Sequence, residues 1–287
     1  METIAFITEP VPPYGVAQSV HPLVRRVVVR NPGPFTYHGT NTWIVGTGRV
    51  AVIDPGPDDP AHRRALLAAL AGETVTHILV THSHQDHAPG AAPLAAATGA
   101  TVMGWGHPQA ERTVGIATGH PPFLPDESLT EGDTIAGQDW RVSVLWTPGH
   151  ASDHLCFALE GAGILFSGDH VMPWSTSMVA PPDGDMAAYV ANLRRMLDRP
   201  EHTFLSGHGP PIVEPRPYVA ALLRHREERE AGILEALAGG AASVEEIVAH
   251  QYPGLAEALR PAAARTVRAH LIKLRAEGRL ADAALAL

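Results

Sequence analysis

The chain reads as an α/β sandwich with a small helical domain at its C-terminal end. Three observations carry that prediction. Apolar β-type runs alternate with Ala/Leu-rich helical stretches up to residue 215, an order that suits sheets covered by helices. Histidine and aspartate gather just past the ends of four of those runs. At Pro215-Arg216-Pro217 the composition shifts, and beyond it almost nothing reads as strand.

Residues 1–20 are Pro-rich and read as an irregular N-terminal tail; the main body is expected over 21–215 and the appended domain over 216–287. In the body, strands are expected at Val24–Val29, Thr42–Val45 and Val50–Ile53, the last stopped by Asp54-Pro55-Gly56. A helix follows over Pro60–Ala71, a buried strand over Thr76–Thr81, a helix over Pro89–Thr98 and a strand over Ala100–Met103. From Gly104 to Pro125 the pattern is lost in a long loop of the kind that borders sites. Thr134–Leu145 suggests a hairpin, followed by strands at Leu155–Leu159 and Ile164–Ser167, a helix at Met186–Leu197 and a strand at Thr203–Ser206. In the appended domain, Tyr218–Leu237 is a long helix. Ser243 caps a second helix, with Glu246 at the capping-box position, and Pro261–Gly278 forms a third. Three helices and the strand-like tail Arg279-Leu280-Ala281 resemble a winged helix-turn-helix.

With 287 residues, 45% hydrophobic, the chain can bury a large core and reads as soluble and globular. It has no apolar run of about 18 residues, hence no expected membrane span. Met1-Glu2-Thr3-Ile4 has neither a basic segment nor a long apolar stretch, so a cytoplasmic location is expected. The single cysteine, Cys156, precludes an intrachain disulfide, fits a reducing compartment and reads as buried filler within Leu155–Leu159. Net charge is −9, unevenly spread: from Arg216 onward 10 basic face 9 acidic residues, leaving 11 against 21 in the body. An acidic body argues against broad polyanion binding.

The segment Thr81-His82-Ser83-His84-Gln85-Asp86-His87 carries the chemistry. It sets three imidazoles and a carboxylate in one short loop after Ile78-Leu79-Val80, a donor set suited to borderline divalent metals. Later runs end alike: Val142–Trp146 leads to Thr147-Pro148-Gly149-His150, Ile164–Phe166 to Ser167-Gly168-Asp169, and Phe204-Leu205 to Ser206-Gly207-His208. Gly149, Gly168 and Gly207 permit tight turns there. If these strands share sheets, His82, His84, Asp86, His87, His150, Asp169 and His208 converge on one edge. That count suits two divalent ions with open positions for water. Zinc is the default on ligand type, with manganese and iron as alternatives.

The pattern H-x-H-x-D-H at 82–87, followed by His150, Asp169 and His208, resembles the metallo-β-lactamase fold superfamily in order and spacing. The resemblance implies an αββα sandwich. It also implies that His82, His84 and His150 hold one metal, that Asp86, His87 and His208 hold the second, and that Asp169 bridges. Asp54 matches the family's structural aspartate, which braces the loop behind the ligands. Two ions about 3.5–4 Å apart would generate a bridging hydroxide near neutral pH and polarise the oxygen under attack. Asp86 could then relay a proton to the leaving group.

Within that family the chain is similar to the branch of lactamase-β-like endoribonucleases that end in a winged helix. The similarity rests on Asn31-Pro32-Gly33-Pro34 with Gly39-Thr40-Asn41-Thr42, on Ser167-Gly168-Asp169-His170, and on the helix from Arg224-His225-Arg226 through Ile233-Leu234. Leu271-Ile272-Lys273-Leu274-Arg275-Ala276-Glu277-Gly278 fits as well. The implied activity is a dinuclear metal-dependent hydrolase acting on a phosphodiester such as single-stranded RNA, or on a related ester. A thioesterase, lactonase or β-lactamase-like hydrolase of small molecules is the alternative, and a winged-helix nucleic-acid binder with a vestigial site is the weaker one. A homodimer is compatible with either. Arg265, Arg268, Arg275 and Arg279 share one face of the last helix around Ile272, opposite the apolar stripe Val267, Leu271 and Leu274. The face reads as an RNA-backbone strip or, preferably, as a solvated face or a dimer contact, paired with Glu257 and Glu277. Trp174, Ser175 and Thr176, following Asp169, are candidates to line a substrate groove, with packing of Trp174 on a neighbouring loop an equal expectation. His38, His107, His120 and His170 read as ordinary histidines in rim segments.

Overall fold

The computed structural model describes residues 4–106 and 123–280. Two sheets face each other across a shared apolar core. The first has seven strands in sequential order: β1 (Gln18–His21), β2 (Val24–Val28), β3 (Asn41–Val45), β4 (Arg49–Ile53), β5 (Thr74–Leu79), β6 (Thr101–Trp105) and β7 (Glu127–Leu129). Its first four strands pair antiparallel and the rest parallel. The second sheet holds β8 (Thr134–Ala136), β9 (Arg141–Trp146), β10 (Leu155–Leu159), β11 (Ile164–Gly168), β12 (Thr203–Ser206) and β13 (Ile212–Val213). Strands β8 to β11 form an antiparallel meander, and β12 joins β11 in parallel.

Each strand's pattern follows from what covers it. β3, β10 and β11 are buried along their whole length, so they read as continuous apolar runs without alternation. Trp43, Ile53, Leu79, Val142, Phe157 and Phe166 fill the space between the sheets. The outer face of the first sheet is covered by α1 (Pro60–Ala69) and α2 (Ala91–Thr98), which seal Ile44, Val52 and Ile78 under Leu66 and Leu94. The outer face of the second is covered by α3 (Met186–Leu197) and α4 (Pro215–Ala238), whose Tyr189, Leu193, Val219 and Leu222 pack on Leu165 and Phe204. The layers are therefore αββα.

Helix starts are chemically specified. Asp59 accepts the Ala61 N–H ahead of α1, where Pro60 takes a position whose amide has no intrahelical partner. Asp185 accepts the N–H groups of Ala187 and Ala188 at the head of α3. The second half of α4 packs with α5 (Val244–Gln251) and α6 (Arg260–Ala276) around Ile233, Ile247, Val267, Leu271 and Leu274. Ser243 Oγ accepts the Glu246 N–H at 3.1 Å, and Glu246 reaches back to the N–H of Ala242, one residue earlier than in an ideal capping box.

Several boundaries differ from the sequence reading. The irregular N-terminal stretch ends in a strand, β1, and is tied down before it by the buried Ile4 and by the Glu9–Arg26 ion pair at 2.8 Å. The hairpin is β8–β9, and Trp140 in its turn is buried. Helix α2 starts at Ala91, after the tight turn that carries His87. Arg279 and Leu280 form a bend rather than a strand, and Ala281 lies outside the described residues. Most of the Gly104–Pro125 segment, including His107 and His120, also lies outside them. Cys156 is fully buried, and burial pushes its thiol up to about 12. No helix among the described residues is long and apolar enough to cross a membrane.

Candidate metal centre

The C-terminal ends of β5, β11 and β12 and the turn after β9 open on one edge of the sandwich. They bring His82, His84, Asp86, His87, His150, Asp169 and His208 together. His84 Nδ1 lies 2.9 Å from His82 Nε2 and 3.0 Å from His150 Nε2. Each outer ring is fixed by its other nitrogen: His82 Nδ1 is 2.9 Å from Thr81 Oγ1, and His150 Nδ1 donates to the Met178 carbonyl at 2.6 Å. Burial, and then the neighbouring histidines, hold His82 well below its ordinary range; the same causes bring His84 down to about 3. With Nδ1 of His82 and His150 engaged in this way, the Nε2 atoms of both rings and Nδ1 of His84 converge on one point, a set of imidazole nitrogens that fits a metal ion.

A second cluster adjoins the first. His208 Nε2 lies 3.1 Å from Asp86 Oδ2, and His87 Nε2 lies 3.4 Å from the same oxygen. Asp169 Oδ1 is 3.6 Å from His87 Nε2 and 3.5 Å from His208 Nε2, while its Oδ2 is 3.7 Å from His150 Nε2. One carboxylate thus presents one oxygen to each cluster. His87 Nε2, His208 Nε2 and Asp169 Oδ1 are buried without a hydrogen-bond partner. Burying such atoms unpaired is costly, and a divalent ion would satisfy all three. Ligand atoms of His82–His84–His150, of Asp86–His87–His208 and of His82–His87–Asp169 each fall within 4.8 Å of one another.

Charge balance is tight in this cluster. Burial alone would lower His87 and His208, yet the carboxylates outweigh it: Asp86, Asp169 and Asp54 raise His87 well above its usual value, and Asp169 with Asp86 carries His208 to about 9. Burial alone would raise Asp86 and Asp169, but the two histidines hold both well below the usual carboxylate range.

The loop is braced from behind. Asp54 accepts the Thr81 N–H and the Thr81 hydroxyl, each at 2.8 Å, and stands 2.8 Å from His87 Nδ1. Its φ of 50° lies in the left-handed region, which Asp tolerates better than most residues. Gly207 has its own reason: a Cβ there would sit 2.5 Å from Asp169 Oδ1 and 2.6 Å from His87 Cε1. The Gly39-Thr40-Asn41-Thr42 stretch ties the two sheets together beside the site. The Asn41 N–H donates to the Gly207 carbonyl at 2.7 Å, and its side chain donates to the carbonyls of Ser206 and Gly209.

Sequence reasoning missed His154. Its Nε2 accepts the Asp169 N–H at 3.1 Å, so its Nδ1–H donates to Thr147 Oγ1 at 2.8 Å. It also missed Asp153, which accepts the Ser83 N–H at 3.0 Å within the ligand loop and which burial pushes to about 6. Both open the apolar run of β10, where a polar residue signals only a strand start. His38 is engaged with the Glu9 carbonyl at 2.9 Å, and His170 is buried against Tyr189. Two of the four arginines on the basic face have acidic neighbours: Arg279, just beyond α6, reaches Glu230 as well as the expected Glu277, and Arg268 lies 3.8 Å from Glu245.

A cavity of ≈ 330 Å³ opens directly on the two clusters. His84, Asp86, His150 and Asp169 form its floor; Trp174, Ser175, Thr176, residues of α4 and α6 and the segment between α5 and α6 form its walls. Trp174 also stacks on Tyr37, with ring centroids 5.1 Å apart, so it both packs on a neighbouring loop and faces the cavity.

Comparison with known proteins agrees with this architecture. The model of the metallo-beta-lactamase superfamily matches residues 36–208, and that of the beta-lactamase associated winged helix domain matches residues 243–284. An atrochrysone carboxyl ACP thioesterase of Claviceps purpurea is 31% identical over 233 residues, covering 80% of this chain and 70% of the relative. A lactamase-like protein of Pestalotiopsis microspora is 32% identical over 229 residues, covering 79% and 67%. Among solved structures, a metallo-beta-lactamase family protein from Thermus thermophilus superposes with a TM-score of 0.76 at 26% identity, covering 91% of this chain and 95% of that one. The protein TTHA1623, solved in a di-iron-bound form, gives 0.53 at 30% identity, covering 67% and 95%. The chain belongs to the metallo-beta-lactamase superfamily, as a hydrolase whose C-terminal helices match a winged-helix domain.

Proposed function

We propose that the chain hydrolyses thioesters of small, largely apolar acyl groups. The observation that carries this reading is the lining of the cavity over the metal clusters. Phe35, Met172, Met178, Tyr252, Leu255 and Leu259 dominate its walls, and Arg226 is the one cationic side chain among the described lining residues. A phosphodiester chain needs a track of cations; an acyl group needs apolar walls and a few fixed donors. Helix α6 contributes Ala262, Ala263 and Thr266 to the cavity, whereas Arg265 and Arg268 line a separate groove shared with Glu245 and Glu257. The relatives named thioesterases point the same way. The reading therefore ranks the small-molecule alternative above RNA. It also takes the helices beyond Pro215 as a wall of the active site, appended to a catalytic body over 21–215.

His82, His84 and His150 would hold one ion, Asp86, His87 and His208 the other, and Asp169 both. Zinc suits this donor set, and iron or manganese would be accommodated by the same ligands. When bound, such a pair supplies hydroxide at neutral pH and polarises the acyl oxygen. The apolar walls exclude bulk water and hold the acyl group against the floor. Asp86, with a side chain 27% exposed, is the more accessible of the two floor carboxylates. It takes the proton of the attacking water at a carboxylate oxygen and returns it to the sulfur as the C–S bond breaks. Water and thioester become carboxylic acid and thiol.

The test is a parallel screen of metal-loaded protein, with metal content measured beforehand. Substrates are butyryl and benzoyl thioesters of N-acetylcysteamine, a γ-lactone, a β-lactam and a single-stranded RNA. Thiol release is expected to dominate, and to be lost in His84→Ala. Cleavage of RNA with no thiol release would overturn the proposal.

A further inference from the structure

The segment Arg224-His225-Arg226 on α4 has no part in the chemistry above, yet two of its residues face the cavity. Arg226 is 3% exposed. Its Nη2 donates to the Ser177 carbonyl, and its guanidinium carbon lies 5.1 Å from the Tyr189 ring centroid. Its Nε is buried without a partner, and among the described residues Arg226 has no ion-pair partner. A cation this deeply buried ordinarily sits beside a carboxylate.

His225 and Trp174 add to the imbalance. The Arg229 Nε–H donates to His225 Nε2 at 3.2 Å, so the proton of the neutral ring is on Nδ1. That Nδ1–H is buried and unpartnered, as is the indole N–H of Trp174. The cavity is thus lined by three residues carrying unpartnered buried donors. The only carboxylates lining it, among the described residues, are Asp86 and Asp169, which belong to the metal clusters.

We propose that Arg226, His225 and Trp174 form an oxyanion subsite that holds a carboxylate or phosphate group carried by the substrate while its thioester lies over the metal centre. This rests on the thioesterase reading for the location of the scissile bond. An anion here would accept from the guanidinium Nε–H, the imidazole Nδ1–H and the indole N–H, donors that otherwise stay unsatisfied. Charge-assisted hydrogen bonds are the strong class, so the effect on substrate choice is roughly tenfold or more. A carboxylate would sit on the acyl part; a phosphate would sit on the thiol carrier.

Paired substrates distinguish the two sources. In metal-loaded protein, kcat/KM is compared between succinyl-N-acetylcysteamine and its methyl ester, and between butyryl-coenzyme A and butyryl-N-acetylcysteamine. At least one pair is expected to show a tenfold preference for the anionic member, residing in KM. The preference should fall to about one in Arg226→Met and decline in Trp174→Phe, which keeps the stack but removes the N–H. A preference within the succinyl pair assigns the subsite to an acyl carboxylate, and one within the butyryl pair to a carrier phosphate. Equal rates within both pairs would overturn the subsite and leave the thioesterase reading intact. If no thioester is hydrolysed, that reading fails instead. The subsite is then judged by the thermal shift that succinate or inorganic phosphate gives the wild type: a shift lost in Arg226→Met supports it, and no shift in the wild type rejects it.

Discussion

Replacing Asp54 by Asn tests whether the ligand loop is tuned from behind. The substitution keeps the side chain's shape, and Asn tolerates the left-handed φ of 50° as Asp does, so the backbone need not move. What changes is one atom. If the amide oxygen stays opposite the Thr81 N–H, the NH2 group falls where Oδ2 now stands, 2.8 Å from both Thr81 Oγ1 and His87 Nδ1. The Thr81 hydroxyl can rotate and accept. His87 cannot keep its proton on Nδ1 facing a donor, so the proton moves to Nε2, the nitrogen directed at Asp86, Asp169 and His208. A hydrogen bond to a charged group is worth about 1.5–3 kcal/mol. At 1.4 kcal/mol per factor of ten, that is roughly 10- to 150-fold. Loss of such a partner behind a ligating histidine typically costs 10- to 100-fold in metal affinity, a matching range. Equilibrium dialysis against buffered zinc, with metal counted per chain, should show one site near wild-type affinity and one weakened by about 10- to 100-fold. Two sites of unchanged affinity in a folded Asp54→Asn protein would refute the reasoning.

Further outcomes follow from the same geometry. Gly207→Ala would push a methyl group against Asp169 Oδ1 and His87, so metal content should drop while far-UV circular dichroism stays native; full two-metal loading would contradict the contact. Metal must displace the protons that His87 and His208 hold when the site is metal-free, so loading near pH 7.5 should release about two protons per chain from these rings and about one more from the water that becomes hydroxide. Calorimetry in buffers of different ionisation enthalpy reads that number, and zero release would count against the ligand set. His208 has a folded value of about 9, above its ordinary 6.5, so the stability it lends the metal-free protein is complete below about pH 6.5 and lost as pH rises through 9. The melting temperature of metal-free protein should fall over that window, and that of loaded protein should not. Ser243→Ala removes the cap on α5 and should cost about 1 kcal/mol, measured by urea unfolding of the C-terminal helices.

Legibility in the sequence followed how each element is specified. Strands β4, β10 and β11 could be read because burial on both faces makes them apolar runs, and β5 could be read by its apolar end Ile78-Leu79. The ends of β5, β9, β11 and β12 could be read as site positions because histidine and aspartate gather just past them. Strands β1, β7 and β13 were invisible: they are edge or near-edge strands of two to four residues with sequences such as Glu127-Ser128-Leu129, too short and polar to show a period. His154 escaped because nothing distinguishes a histidine that orients Asp169 from one that merely starts a strand. The basic face of α6 stayed ambiguous until Glu230 and Glu245, which precede the helix on α4 and α5, were seen beside Arg279 and Arg268.

The contrast between ligands and lining has a physical root. The candidate metal ligands sit at or just past strand ends, where sheet register fixes their relative positions, so a sequence ordered by strands is already ordered by these residues. The cavity walls come from Phe35 before β3, Trp174 after β11, Arg226 on α4, Tyr252 at the end of α5 and Ala262 on α6. No shared register links these residues; they meet because α4 runs from the second sheet's outer face into the C-terminal helices and carries those helices with it. Changing the wall residues need not disturb the ligands, and bracing the ligands through Asp54 says nothing about the walls. The reaction class is therefore written into a local motif. On the proposed reading the choice of substrate is written into a tertiary contact, and the guanidinium of Arg226 is the charged group that this contact brings to the cavity.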